Sequence, residues 1–248
     1  MKADPAQQQR LLDLQAVDTR LDQIVHAKAT LPQLKDIAML AEKARALDTD
    51  LANARVAVSD VQRDVDKAEA DVQLVRDRAT RNQARLDSGT GSAKDLQALQ
   101  HELESLARRQ TELEDAEIDI MEKAEELGAR ASALGASRAD LAVTLGELEA
   151  ARDSGLATLE TEREQVAGQR DSIRPGVDDA LLALYEKVRA NGGGVGAAEL
   201  RQRRCGGCRL ELNGGDLQRI TAAAPDEVVR CEECGRILVR TPESGLPA

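Results

Sequence analysis

No phenylalanine or tryptophan occurs in the 248 residues, and Tyr185 is the one tyrosine. A chain so poor in rings lacks the bulk that usually dominates a compact core. Histidine is scarce as well. His26 and His101 stand alone, far from the cysteines in sequence, so each reads as a surface polar residue and not a metal ligand. No stretch approaches the roughly 18 apolar residues of a membrane span. The opening MKADPAQQQRLLDLQ has no apolar run that would serve as a signal peptide. The expectation is a cytoplasmic protein, in a reducing compartment that disfavours disulfides, with no membrane partner.

What is abundant points elsewhere. Apolar side chains are mostly Ala, Leu and Val, and 32% of residues are charged, a composition of long helices or coiled coil. Net charge is -11, unevenly placed: residues 201–240 hold eight arginines against six acidic residues. Such a chain lacks the broad basic footprint of a protein that grips nucleic acid along its length.

From Leu40 to Leu86, positions 40, 44, 47, 51, 54, 58, 61, 65, 68, 72, 75, 79, 82 and 86 alternate steps of four and three, and only Asn82 among them is polar. A 3.5-residue apolar repeat of that length marks a coiled-coil seam. The repeat breaks at Asp87-Ser-Gly-Thr-Gly-Ser92, which reads as a tip loop, with Ser92 placed to cap the next helix and Asp95 in its first turn. A leucine-rich second seam then runs from Leu96 to Leu148, and less cleanly to Ile173, interrupted by Gln110, Glu117 and Arg138. A short loop between two arms of about eighty residues favours an antiparallel hairpin. Asn82, Gln110 and Glu117 then fix register. Pro32 should break or kink the first arm.

The domain reading is therefore an antiparallel coiled-coil hairpin over residues 1–174 (tip loop about 87–93, kink near Pro32), a connector helix over 175–191, and a ribbon over 192–248 with a short C-terminal tail. Arg174-Pro175-Gly176 ends the second arm. The connector presents Val177, Leu181, Leu184, Tyr185 and Val188 on one face, and Tyr185 should pack at its junction with the ribbon. Asn191-Gly-Gly-Gly194 is a hinge or a sharp lead into a strand. Strands are expected near 195–204, 228–230 and 236–240, with a short helix around 214–222.

All four cysteines lie in two Cys-x-x-Cys pairs, Cys205-Gly-Gly-Cys208 and Cys231-Glu-Glu-Cys234, separated by 22 residues. Two thiolates on one tight turn supply half a tetrahedron, so two pairs complete one structural Zn2+ site. The spacer is slightly longer than usual, which only lengthens the intervening loop. Gly206, Gly207 and Gly235 sit where the backbone turns toward the metal. Two disulfides or four unrelated thiols are the alternatives, and paired spacing with no cysteine left over favours zinc. Cys-Gly-Gly-Cys also looks like a redox dithiol, but the βαβ context of that motif is missing. Some forty-five residues bury too little apolar surface to fold securely without such a staple.

With these parts in place the chain resembles the bacterial C4-type zinc-ribbon proteins with an N-terminal coiled-coil hairpin. The likeness rests on Lys94-Asp-Leu-Gln-Ala-Leu-Gln-His-Glu102 after the tip, on Pro175 to Tyr185, and on Cys205-Gly-Gly-Cys208 and Cys231-Glu-Glu-Cys-Gly-Arg-Ile-Leu238. The resemblance implies a mainly α fold, a long helical hairpin followed by a small β zinc ribbon, with one zinc ion on Cys205, Cys208, Cys231 and Cys234. It also implies a binding protein and not an enzyme, with chaperone-like, secretion-related or nucleic-acid-binding roles. Val239 stands where the family is often aromatic, which weakens base stacking by the ribbon.

The functional expectation is a non-enzymatic adaptor or chaperone-like protein that binds a protein partner through coiled coil and ribbon, with no small-molecule substrate. The alternative is RNA or DNA binding through Arg201, Arg203, Arg204 and Arg209 beside the first cysteine pair and Arg230, Arg236 and Arg240 beside the second. Such contacts would make affinity fall steeply with salt.

Overall fold

A computed structural model describes residues 1–246; of the expected C-terminal tail, Pro247 and Ala248 lie outside the described residues. Its helices are α1 (Pro5–Ala29), α2 (Pro32–Asp87), α3 (Ala93–Ile173), α4 (Asp179–Asn191) and α5 (Gly214–Ala222). Its strands are β1 (Ala197–Arg201), β2 (Arg204–Cys205), β3 (Val229–Arg230) and β4 (Ile237–Arg240). Packing divides the chain into two units, Lys35–Glu149 and a second made of Met1–Leu34 with Ala150–Ala248. Two long helices forming a hairpin and a small strand-bearing part with a cysteine cluster are the expected fold class.

The unit Lys35–Glu149 is an antiparallel helical hairpin. Every seam position from Leu40 to Leu86, and from Leu96 to Leu148, is buried or half-buried. The direction follows from ion pairs across the seam, in which one number rises as the other falls: Asp48 with Arg138 at 2.7 Å, Arg76 with Glu114 at 2.6 Å, and Arg78 with Glu102. Exposed pairs of this kind contribute little, because water and salt screen them. Burial of one seam side chain such as Val72, 2% exposed, contributes about 1.5–3 kcal/mol, so the apolar repeat holds the hairpin and the charges set its register. Asn82 is buried in the seam, and its Nδ2 has no partner among the described residues. At the tip the Ser92 hydroxyl accepts from the Asp95 amide (3.3 Å) while the Asp95 carboxylate accepts from the Ser92 amide (3.0 Å). This reciprocal cap starts α3. The bonds from Ser92 hold the Asp95 carboxyl below its ordinary range.

In the other unit, α1 begins with Asp4 accepting from the Ala6 amide at 2.7 Å and with Pro5 in the first turn, where its missing N–H costs nothing. It ends at Ala29, and α2 restarts at Pro32. Asp178 caps α4 by accepting from Ala180 and Leu181 amides. Leu11 and Leu14 of α1, Leu181 and Tyr185 of α4, and Ile237 and Val239 of β4 are fully buried in one core. A second core under the cysteines contains Leu200, Leu212, Leu217, Ile220, Val229 and Leu238. β1 and β4 separate the two cores, because alternate side chains of a strand point to opposite faces.

The sheet order is β2-β1-β4-β3, with β1 and β4 parallel and the outer pairs antiparallel. The single strand expected over 195–204 is instead two, β1 and β2. They are joined at Gln202 and Arg203, both left-handed (φ 46° and 66°), as in a tight hairpin turn of the primed type. The glycine run 192–194 is a sharp lead into β1 and not a loose hinge. Gly193 and Gly194 have φ of 67° and 87°, and a Cβ on Gly192 would lie 2.6 Å from the Val195 carbonyl.

Candidate metal centre

Each cysteine pair is built as the same turn. The Arg209 amide donates to the Cys205 carbonyl at 2.7 Å, and the Gly235 amide to the Cys231 carbonyl at 2.8 Å. The Cys205 amide donates to Leu210 at 3.0 Å, and the Cys231 amide to Arg236 at 2.9 Å. The residue after each second cysteine is left-handed, Arg209 at φ 64° and Gly235 at φ 69°. The two copies differ in what stands there. Glycine takes that conformation freely, whereas a residue with a Cβ is strained by about 1–2 kcal/mol.

Gly206 and Gly207 do not serve as turn glycines, since neither has a positive φ. They permit close approach: a Cβ on Gly206 would sit 2.9 Å from the Glu199 carbonyl oxygen, and one on Gly207 would sit 2.5 Å from Arg236 Cδ. Glycine 235 alone of the three fills the left-handed role expected of them.

These turns bring four thiol sulfurs within 4.8 Å of one another. The Cys205–Cys234 sulfurs are 3.8 Å apart and the Cys208–Cys231 sulfurs 3.9 Å. A Zn–S bond of about 2.3 Å sets the edges of a sulfur tetrahedron at about 3.8 Å, so the donor set fits one structural Zn2+. No disulfide joins these cysteines. Burial pushes the Cys205 thiol up to about 12 and the Cys231 thiol up as well. Burial pushes Cys234 the same way, but the Arg236 amide and the neighbouring thiols outweigh it and bring it down to about 7. A divalent cation among these sulfurs removes the conflict, replacing buried thiol protons with one central charge. Backbone amides complete the surroundings: those of Gly207 and Cys208 aim at the Cys205 sulfur, and those of Glu233 and Cys234 at the Cys231 sulfur. Four thiolates leave no coordination position for a substrate.

The seven arginines beside the cysteines are placed in three ways. Arg240 donates to the carbonyls of Ile220, Ala223, Ala224, Pro225 and Glu227, closing the end of α5 and the loop after it. Arg236 binds the Gly192 and Val195 carbonyls and covers Gly207, while Arg230 binds the Gly235 carbonyl. Arg201 and Arg204 are exposed and paired with Glu243 (2.9 Å) and Glu211 (3.7 Å). Arg203 and Arg209 are exposed, and no described residue bonds to either side chain. His26 and His101 are exposed on α1 and α3, outside the cysteine cluster.

Residues 14–193 match the CT398-like coiled coil hairpin domain, and residues 204–238 match the C4-type zinc ribbon domain. The chain belongs to this family. An uncharacterized protein of Mycobacterium tuberculosis (strain ATCC 25618 / H37Rv) is 43% identical over 97% of this chain and 98% of its own length. A solved structure from Mycobacterium smegmatis is 41% identical with a TM-score of 0.85, covering 97% of this chain and all of that one. The structure of CT398 from Chlamydia trachomatis shares the fold at 17% identity, with a TM-score of 0.67 over 95% and 98% of the two chains. Both matching families are coiled-coil and zinc-ribbon domains. No helix among the described residues is long and apolar enough to cross a membrane.

Support for the ribbon comes from polar side chains outside the cysteine motifs. Gln15 of α1 accepts from the Gly196 amide (2.7 Å) and the Ala197 amide (3.3 Å) and donates to the Gly194 carbonyl (2.9 Å). One amide side chain thus pairs with the lead into β1 as a neighbouring strand would. Beside it Asp18, 2% exposed, accepts from the Tyr185 hydroxyl at 2.8 Å and from Arg170 at 2.7 Å, and Arg189 approaches to 3.6 Å. Gln15 and Asp18 follow Leu11 at helical spacing, four and seven residues on, which is the pattern that could have marked them as inward-facing.

Proposed function

We propose that the protein is a non-enzymatic, zinc-braced adaptor of chaperone-like type that binds a protein partner through its coiled coil and ribbon in a reducing cytoplasm. The observation that supports this reading is the apolar surface left on the hairpin after the seam is satisfied. Leu74 of α2 is 64% exposed and Ile118 of α3 54%, with Met39, Val56, Met121 and Val143 also exposed. Ile118 and Met121 are three residues apart, so they share one face of α3. The closed thiolate set supports a structural part for zinc and a binding, non-catalytic role for the chain. Affinity capture with the full-length zinc-loaded protein tests the proposal, using Ile118→Ser/Met121→Ser beside the unaltered chain. A partner lost by the double variant supports it; failure of every form to retain a specific protein overturns it.

A second reading, RNA or DNA binding by the ribbon, is favoured by Arg203 and Arg209, exposed and uncompensated by any described carboxylate. Binding of that kind weakens with salt, by about 0.9 in log–log slope for each phosphate neutralised on duplex DNA. A gel-shift series from low to high salt with Arg209→Ser as control decides it, and absence of any shift at low salt removes it.

A further inference from the structure

Between α5 and the segment at Gly245–Leu246 lies a groove of about 510 Å³, within the usual size of a ligand site. Leu217, Gln218, Thr221 and Ala222 of α5 line it together with Gly245 and Leu246, and the exposed Arg203 stands at its rim. It is lined by one cation and no carboxylate. The acidic groups closest in sequence are already engaged: Glu211 with Arg204, Glu243 with Arg201, and Asp216 with Asn213.

The arginine at this rim is held there against backbone preference. Gln202 and Arg203 occupy the two left-handed positions of the β1–β2 turn, where Asn-Gly is the natural choice. The turn is fixed from below. The Gln202 and Arg203 amides donate to the Glu243 (2.8 Å) and Ser244 (2.9 Å) carbonyls, and the buried Ser244 hydroxyl donates to Leu200 at 2.9 Å. Gly245, itself left-handed, lies against the Arg203 stem: a Cβ there would be 3.5 Å from Arg203 Cγ. A strained position that persists only because its surroundings impose it is a mark of use.

We propose that this groove binds an extended protein segment carrying an apolar side chain next to an Asp or Glu. The apolar side chain packs against Leu217, Thr221, Ala222 and Leu246, and the carboxylate meets Arg203 at the rim in a charge-assisted pair. The groove is open to solvent and not enclosed, which suits a passing chain better than a small molecule. The uncompensated guanidinium selects the acidic neighbour. Absence of any exposed aromatic ring for base stacking turns the choice away from single-stranded nucleic acid. This proposal rests on the adaptor reading and names the chemistry of what one of its surfaces takes.

The test is to pan a random heptapeptide display library on the full-length zinc-loaded protein. Recovered peptides should contain Asp or Glu adjacent to Leu, Ile, Met or Phe, and should shift the methyl resonances of Leu217 and Leu246. Ala222→Trp, which fills the groove, should abolish binding. Arg203→Gln should weaken it at least fivefold. Arg203→Gly should weaken it equally while thermal stability holds or rises, because glycine relieves the left-handed turn; that combination separates lost recognition from lost fold. No enrichment, enrichment without acidic residues, or peptides that still bind the Ala222→Trp protein overturns the proposal. If a partner is captured unchanged by Ala222→Trp and Arg203→Gly, the groove falls and the adaptor reading stands. If peptides bind as described but no form retains a partner, the adaptor reading falls and the groove stands.

Discussion

Replacing Asp18 with Asn removes one negative charge from a site 2% exposed and changes the shape of the side chain little. Two donors are disturbed directly, the Tyr185 hydroxyl at 2.8 Å and Arg170 Nε at 2.7 Å, and Arg189 at 3.6 Å loses its attraction. An amide presents one oxygen to two donors that now share two, so one hydrogen bond is lost or reversed. Breaking a fully buried ion pair costs about 3–5 kcal/mol. Here Arg170 keeps Glu186 (3.2 Å) and Arg189 keeps Asp22 (2.6 Å), and both guanidiniums are about a quarter exposed. The expected loss is therefore lower, about 2–3 kcal/mol on the same scale. Tyr185 is the one tyrosine and no tryptophan is present, so urea unfolding followed by tyrosine fluorescence reports on this unit without interference from the hairpin. The same residue gives a second readout. Burial first, then the bond to Asp18 and its charge, raise the phenol above its ordinary 10.0. A group raised in the folded state contributes stability that is complete below the unfolded value and is lost as pH climbs toward the folded one. The unaltered protein should thus lose stability above about pH 10, and Asp18→Asn should flatten that decline and lower the ultraviolet titration midpoint of Tyr185. A loss under about 1 kcal/mol, or an unmoved midpoint, would refute the assignment of Asp18 as the centre of this network.

Four further outcomes rest on the packing and on the metal site. Asn82→Leu should raise the melting temperature of the hairpin, read by circular dichroism, by the equivalent of about 1–3 kcal/mol, since it removes a buried donor without a partner; a lower melting temperature contradicts that account. Arg209→Gly should stabilise the zinc-loaded ribbon by about 0.5–1 kcal/mol in urea unfolding, because the same position in the second turn is glycine. Arg240→Ala should cost about 2–4 kcal/mol in the same measurement, with Arg240→Lys recovering less than half, because one ammonium cannot reach five carbonyls. Zinc removal by a chelator should abolish the ordered signal of the ribbon while most helical signal survives, and loss of the helices together with the zinc would count against two separately packed units.

The parts that could be read before the fold was known are those written in local spacing. Leu40 to Leu86 keep a 3.5-residue step, and each of those positions is at least half-buried because a helix face depends only on its own sequence. The cysteine pairs were readable for a similar reason, since a tetrahedral thiolate site constrains residue type and local separation. Gln15, Asp18 and Arg240 were not. Their partners lie at Gly196, Tyr185 and the 220–227 segment, brought near by the fold, and a polar side chain on a helix or strand does not announce whether water or backbone will satisfy it. The glycines of the first pair misled in a smaller way, because close approach and left-handed turning leave the same letter in the sequence.

The bonds from Gln15 to Gly194 and Gly196 span about 180 positions of the chain, and that distance orders events during synthesis. Residues 35–149 can pair with one another soon after they leave the ribosome, since their contacts close a short tip loop and grow outward. Residues 1–34 must wait for β1 and β4. Leu11, Leu14 and Gln15 therefore remain uncovered until residues 194–239 have been made, a period in which a nascent chain is exposed to wrong associations. Cys234 is made just before β4 (Ile237–Arg240), so metal loading and covering of the N-terminal helix belong to the same moment.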